Sequence, residues 1–219
     1  MAKELLQGTA PLINDSKNGS DIDYAFIASL IPDVMNALYN QQAFNSTGLE
    51  EIRDAFRIKQ MQGKAWLMHK VSELVKDPNS KILVIGSWIG FTSHCLYKMG
   101  FTNITEVDPD SRLETLACWL NRFNKNFTHI SDDVNNVDVG EFDVVINTSC
   151  EHIADNSWYS RLSKNSLVFL HSIDLPADDH CNLCQDLKEM TEKYSMNVVY
   201  SGTLNLQNYN RFMMIGHPR

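Results

Sequence analysis

The sequence predicts an α/β fold: a Rossmann-like, mostly parallel seven-stranded sheet with an antiparallel last strand, covered by helices and preceded by a helical extension. Three observations lead there. From residue 81 onward, short apolar runs alternate with stretches of helical periodicity, the rhythm of strand–helix–strand units. Runs such as Ile82 to Ile85 and Val144 to Ile146 are continuously apolar, as in strands buried on both faces. Finally, 219 residues with 43% apolar and 21% charged side chains suit one domain and exclude a disordered chain.

Each element follows from local pattern. Residues 1–79 read as the helical extension and residues 80–219 as the sheet domain, divided at the turn-forming Asp77-Pro78-Asn79-Ser80. Between Ile22 and Tyr39, Phe26, Ile27, Leu30, Ile31, Val34, Met35 and Leu38 recur at helical spacing. Pro32 inside that pattern predicts a kink or two short helices. Thr47 and Glu50 have the spacing of a capping box, opening a helix or helix pair that reaches Lys76. Strands are then expected over 81–86, 103–107, 128–130, 142–147 and 166–171, with helices over 92–99, 111–121 and 179–194. Two final strands, 197–202 and 211–216, are close enough to pair as a long hairpin and make one edge antiparallel.

Charge and composition narrow the function classes. The net charge is −8, with 19 Lys+Arg against 27 Asp+Glu and no basic run, which argues against a nonspecific grip on nucleic-acid phosphates. No apolar stretch reaches the ~18–20 residues that span a bilayer, and the first eight residues lack the pattern of a signal peptide. Five cysteines, an odd number, suit free thiols in a reducing compartment. The expectation is a cytoplasmic protein without membrane contact.

The chemistry-bearing residues fall after strands. A buried strand ends at Gly86, and Ser87, Trp88 and Ile89 lead to Gly90 at a helix start. Glycine permits both a sharp turn and close backbone approach by a ligand; a plain tight turn is the alternative. Asp108 ends the next strand, 18 residues after Gly90, where dinucleotide folds hold ribose hydroxyls; capping of the following helix by Asp108 and Asp110 is the plainer reading. Asp132 and Asp133 follow the third strand. The fourth runs from Phe142 to Asn147 and empties into the polar loop Thr148 to His152, at the strand end where open α/β sheets bind ligands.

In this order and at these spacings, residues 81–216 resemble the class I S-adenosylmethionine-dependent methyltransferases. The resemblance implies S-adenosylmethionine as a small-molecule cofactor and methyl transfer as the activity. It would set Gly86, Ser87, Trp88 and Gly90 around the methionine part, Asp108 on the ribose, and Asp132 or Asp133 at the adenine edge. The residues from Asn147 onward would line the methyl-transfer end. Two departures stand out: Trp88 occupies the family's middle glycine, and Val84 its usual acid near the end of strand one. The extension, including Gln62 to Leu67, lies outside this shared core and faintly resembles segments of phage-borne methyltransferase-like proteins.

Transfer of a methyl from a sulfonium rests largely on holding nucleophile and methyl in line, and a base is needed only when the nucleophile must lose a proton. Glu151 and His152 are the candidate bases; capping or orienting their loop is the alternative. His171, at the end of the fifth strand, is expected to face substrate. His171, His180, Cys181 and Cys184 have the ligand types of zinc, but a lone C-x-x-C lacks a second pair, and no resident metal is expected. The segment Gln62 to Trp66 is expected to cross the cleft, with Trp66 as apolar wall and Lys64 or Gln62 as polar contact. Arg53, Arg57 and Lys59, interleaved with acids, read as a solvated helix face. The segment after strand four, Asn147-Thr148-Ser149-Cys150, lacks an Asn-Pro-Pro-Tyr base-methylation signature, so no motif specifies the acceptor. The rival readings are a different reaction of the same cofactor and a non-catalytic scaffold on the same fold.

Overall fold

The computed structural model describes residues 25–40 and 54–219. The predicted first helix is two: α1 (Ala25–Ser29) and α2 (Ile31–Asn40), broken at Leu30. Pro32 is the second residue of α2, where a missing N–H costs no intrahelical bond. The capping box at Thr47 to Glu50 lies outside the described residues. Helix α3 (Ile58–Leu74) buries Met61, Ala65, Trp66, Leu67, Met68 and Val71.

The sheet comprises β1 (Ile82–Ile85), β2 (Ile104–Val107), β3 (Thr128–Ile130), β4 (Val144–Asn147), β5 (Leu167–Ile173), β6 (Met196–Asn205) and β7 (Asn210–Pro218), in the order β3-β2-β1-β4-β5-β7-β6. Strands β1 to β5 pair in parallel, and β7 is antiparallel to both neighbours. The hairpin therefore does not simply extend the edge. Its second strand is inserted between β5 and β6, so the antiparallel strand is internal and β6 is the edge. Because β7 runs backwards, its first residues, Asn210 and Arg211, reach the same sheet edge as the carboxyl ends of the parallel strands.

Helices α4 (Phe91–Lys98) and α5 (Glu114–Leu120) follow β1 and β2, a short α6 (Ser157–Ser160) follows β4, and α7 (Leu187–Lys193) follows β5. The predicted helix over 179–194 is thus shortened. Asp186 starts it, its carboxylate accepting the Glu189 N–H at 2.8 Å, and Pro176 to Gln185 form a loop. The Cys181 and Asn182 N–H groups donate to the Glu151 carbonyl at 2.9 Å each, which pins this loop to the one after β4. Cys181 and Cys184 consequently share no helical face: the first is exposed and the second buried.

Two apolar layers sandwich the sheet. Ile82 and Val84 point into one with Trp66, Leu96 and Phe169; Leu83 and Ile85 point into the other with Trp158, Tyr194 and Met214. This two-residue period explains why the strand reads as unbroken hydrophobicity. Ile27, Leu30 and Val34 of the extension join the first layer. Asp33 adds a polar tie from α2, lying 3.0 Å from His94 Nε2 and 2.8 Å from Lys98 Nζ of α4. No helix among the described residues is long and apolar enough to cross a membrane, and none of the five cysteines is paired.

One polar pair is sealed within the sheet. Glu106 on β2 is 0% exposed and lies 2.8 Å from Nδ1 of His129 on β3. The Ser93 hydroxyl of α4 donates to its other oxygen at 2.5 Å. Burial pushes the His129 pKa down, but the hydrogen bond and charge of Glu106 outweigh that, and the net shift is upward.

Candidate active site

The turn after β1 sets the geometry of the sheet's carboxyl edge. Gly86, Trp88 and Gly90 all have positive φ, at 65°, 53° and 74°. A bulky residue held there costs on the order of 1–3 kcal/mol. The Trp88 position is thus one that glycine adopts freely, which is why a tryptophan departs from the resembled pattern. Its N–H donates to Asp108 Oδ2 at 2.8 Å, and its ring is half-buried against the core while bordering the cleft. Gly86 admits the loop after β4, since a Cβ there would lie 2.5 Å from the Ser149 side chain.

Gly90 has a different task from the expected one. It does not border the cleft. A Cβ on it would lie 2.9 Å from Ala117 Cα and 3.0 Å from Asn121 Nδ2, and Asn121 donates to its carbonyl at 3.1 Å. It lets α4 pack directly on α5, a helix contact that the sequence did not reveal. Gly90→Ala should therefore destabilise the fold by about 1–3 kcal/mol through overpacking and left-handed strain. A thermal melt checks this, and an unchanged midpoint would contradict it.

A cleft of 1340 Å³ opens along the carboxyl edge, lined by Gly86, Ser87 and Trp88 and by acids that follow β2 and β3. Asp108 is 8% exposed. Each of its oxygens accepts one backbone N–H, from Trp88 at 2.8 Å and from Asp110 at 3.0 Å. A carboxylate offers about four acceptor sites, so lone pairs remain for a ligand's hydroxyls. The Ser87 hydroxyl is buried with no partner while lining this wall. Asp132 and Asp133 also line the cleft. Asp132 accepts from Asn136 Nδ2 and from the Asp133 N–H at 2.8 and 2.7 Å, which holds its carboxyl below the usual range. Asp133 caps the 3-10 turn at Val134–Asn136.

Asn147 lies elsewhere than expected. It is fully buried, and its side-chain oxygen accepts the Ser149 N–H at 2.9 Å. It shapes the turn after β4, while Thr148, Ser149, Glu151 and His152 border the cleft. Glu151 is buried, with Oε2 unpartnered. Burial raises its pKa above the ordinary carboxyl value, which strengthens it as a proton acceptor. Its carboxylate and the rings of His152 and His180 bring one ligand-type atom each within 4.8 Å of the others. The His180 Nδ1–H donates to the Leu175 carbonyl at 2.6 Å, leaving Nε2 as that ring's acceptor. This trio can accept a proton or hold a cation. The zinc-type set read from sequence is not gathered: of its members only His180 belongs to this trio, and His171 and Cys184 are buried.

Among the extension residues, the helical period sorts the candidates. Gln60, Lys64 and Leu67 of α3 line the cleft, whereas Gln62 and Trp66 lie on another face. Trp66 is core rather than pocket wall. It stacks on His171 at 5.7 Å and donates from its indole to the Tyr200 hydroxyl at 3.3 Å. His171 borders the cleft but is 1% exposed. Burial, together with the charges of Arg211 and Lys64, lowers its pKa well below the ordinary value, so it is neutral near pH 7. Sequence reasoning missed Gln60 and Arg211. Arg211 was legible only as the first residue of a strand; the reversal of β7 is what brings it to the cleft.

No family model matches the chain, and no curated protein matches it in sequence. Solved structures do share its fold. Magnesium protoporphyrin IX methyltransferase from Synechocystis PCC 6803, solved with bound SAH, is 12% identical with a TM-score of 0.61, covering 83% of this chain and 99% of that one. TehB of Haemophilus influenzae is 13% identical at TM-score 0.57, over 70% of this chain and 62% of its own. The tRNA (uracil-54, C5)-methyltransferase of Pyrococcus abyssi, in complex with S-adenosyl-L-homocysteine, is 18% identical at TM-score 0.55, over 71% and 38%. The chain thus has the class I methyltransferase fold. None of these structures bears out the likeness to phage proteins.

Proposed function

We propose that this protein transfers a methyl group from S-adenosylmethionine to an acceptor bound under helix α3. The observation that carries the reading is the cleft's own chemistry: a left-handed turn, an orphaned Ser87 hydroxyl, and Asp108 with free acceptor sites, all on one wall. These features fit a nucleoside bearing an amino-acid arm. The fold shared with solved methyltransferases supports it. When bound, S-adenosylmethionine supplies a methyl group activated by a sulfonium.

The chain's residues then have distinct tasks. Asp108 accepts hydrogen bonds from ribose hydroxyls while fixing the Trp88 N–H. Ser87 and the turn backbone meet the amino-acid arm, and Asp132 and Asp133 border the adenine edge. The α3 residues Gln60, Lys64 and Leu67 close the cleft from above, holding the acceptor in line and excluding water. Glu151 takes the acceptor's proton where the nucleophile carries one, with His152 beside it.

Labelled-methyl transfer tests this reading. Wild-type protein, S-adenosylmethionine labelled in its methyl group and fractionated cell extract should yield a labelled product, and Glu151→Gln should yield at least about tenfold less. Cofactor binding without label transfer would favour another reaction of the sulfonium. Absence of binding would leave a scaffold on this fold.

A further inference from the structure

We infer that Arg211 and Lys64, with Gln60, form a subsite for an oxyanion, a carboxylate or phosphate, carried by the acceptor. The inference rests on the methyl-transfer reading for the word acceptor; the anion site itself stands on geometry alone.

Arg211 is 4% exposed, and among the described residues no carboxylate lies within ion-pair distance of it. Its Nη2 donates to Gln60 Oε1 at 3.1 Å, while Nε is buried without a partner. Lys64 has no hydrogen-bond or ion-pair partner among the described residues. Both border the cleft, and they feel one another: burial and the Arg211 charge lower the Lys64 pKa to about 8, which leaves it charged at pH 7. Arg211 is enclosed and Lys64 half-buried, and holding two such cations without an ion-paired carboxylate is costly. Glu151 is near enough to feel the Arg211 charge but makes no ion pair with it. The arrangement is built rather than incidental. Gly63 makes room for it, since a Cβ there would lie 2.9 Å from both Cδ and Nε of Arg211.

Position in the sheet assigns the anion to the acceptor. Arg211 on β7 is four strands from β2, which Asp108 follows, or roughly 19 Å at ordinary strand spacing. That is beyond the methionine arm of a nucleoside anchored at Asp108, so the cofactor's own carboxylate falls nearer β1 and β4. A guanidinium bonded to an amide and an ammonium bordering the same cleft are the donors that carboxylates and phosphates accept from.

The test is calorimetric titration of inorganic phosphate, at constant ionic strength, into full-length protein with and without saturating S-adenosylhomocysteine. Phosphate should bind in both, and Lys64→Met and Arg211→Met should each weaken it at least about tenfold. Lys64→Met should keep or raise the melting temperature without phosphate, because it removes an uncompensated charge; this variant carries the test if Arg211→Met unfolds. No phosphate binding, or binding unchanged by Lys64→Met, overturns the subsite. Loss of phosphate binding when S-adenosylhomocysteine is present overturns its assignment to the acceptor, since the cofactor's carboxylate then takes the site. Phosphate binding with no S-adenosylhomocysteine binding leaves the anion site intact and refutes the methyl-transfer reading instead.

Discussion

Replacing Glu106 with alanine is expected to cost about 3–5 kcal/mol of folding stability, the range for breaking one side of a buried charged pair. The carboxylate is fully enclosed, touching His129 at 2.8 Å and Ser93 at 2.5 Å. The His129 Nε2 is already buried without a partner, so loss of Glu106 would orphan the whole ring. The same pair sets a pH dependence. Because Glu106 lifts the His129 pKa above its ordinary 6.5, the linkage stability is full below that value and is lost as pH rises through the raised folded value. Urea unfolding from pH 5.5 to 8.5 should show this decline in wild type and a flatter profile in Glu106→Gln. A wild-type profile that rises with pH over that window in step with the variant's would contradict the assignment.

Asp108→Ala should weaken binding of S-adenosylhomocysteine by tenfold to about a hundredfold. Hydrogen bonds to a charged acceptor contribute about 1.5–3 kcal/mol each, and ribose hydroxyls left facing an apolar wall lose them. The residue also accepts the Trp88 N–H at 2.8 Å, so alanine loosens a turn that holds a tryptophan at positive φ. Asp108→Asn separates the two effects. It keeps an oxygen for the Trp88 N–H but loses the charge and the acceptor for the Asp110 N–H, so it should bind with intermediate affinity and melt between wild type and Asp108→Ala. Equal affinity for all three proteins would remove Asp108 from the ligand site.

The strands were readable because burial on both faces makes them continuous apolar runs, and the Gly-rich turn and following acid because both are local patterns. What escaped was decided between distant segments. Gly90 reads as a ligand glycine until Ala117 and Asn121 are seen against it. Glu106 reads as an ordinary polar position in a short strand, and only β3 and α4 reveal its partners. Arg211 reaches the cleft because β7 is inserted backwards between β5 and β6, a topology no local pattern specifies. The overlong last helix had a visible remedy: Asp186 and Glu189 have the spacing of a helix start. On α3, the choice of Lys64 over Gln62 and Trp66 depends on how the helix is rotated about its axis, which its apolar residues alone leave open.

The carboxyl edge of this sheet, on the reading proposed above, is a nucleoside–sulfonium site. Calorimetric titration of S-adenosylmethionine, and separately S-adenosylhomocysteine, into the full-length protein tests it most directly. Both should bind saturably at one site per chain, and Asp108→Ala should weaken each. Absence of binding by either ligand to protein that melts cooperatively would contradict it.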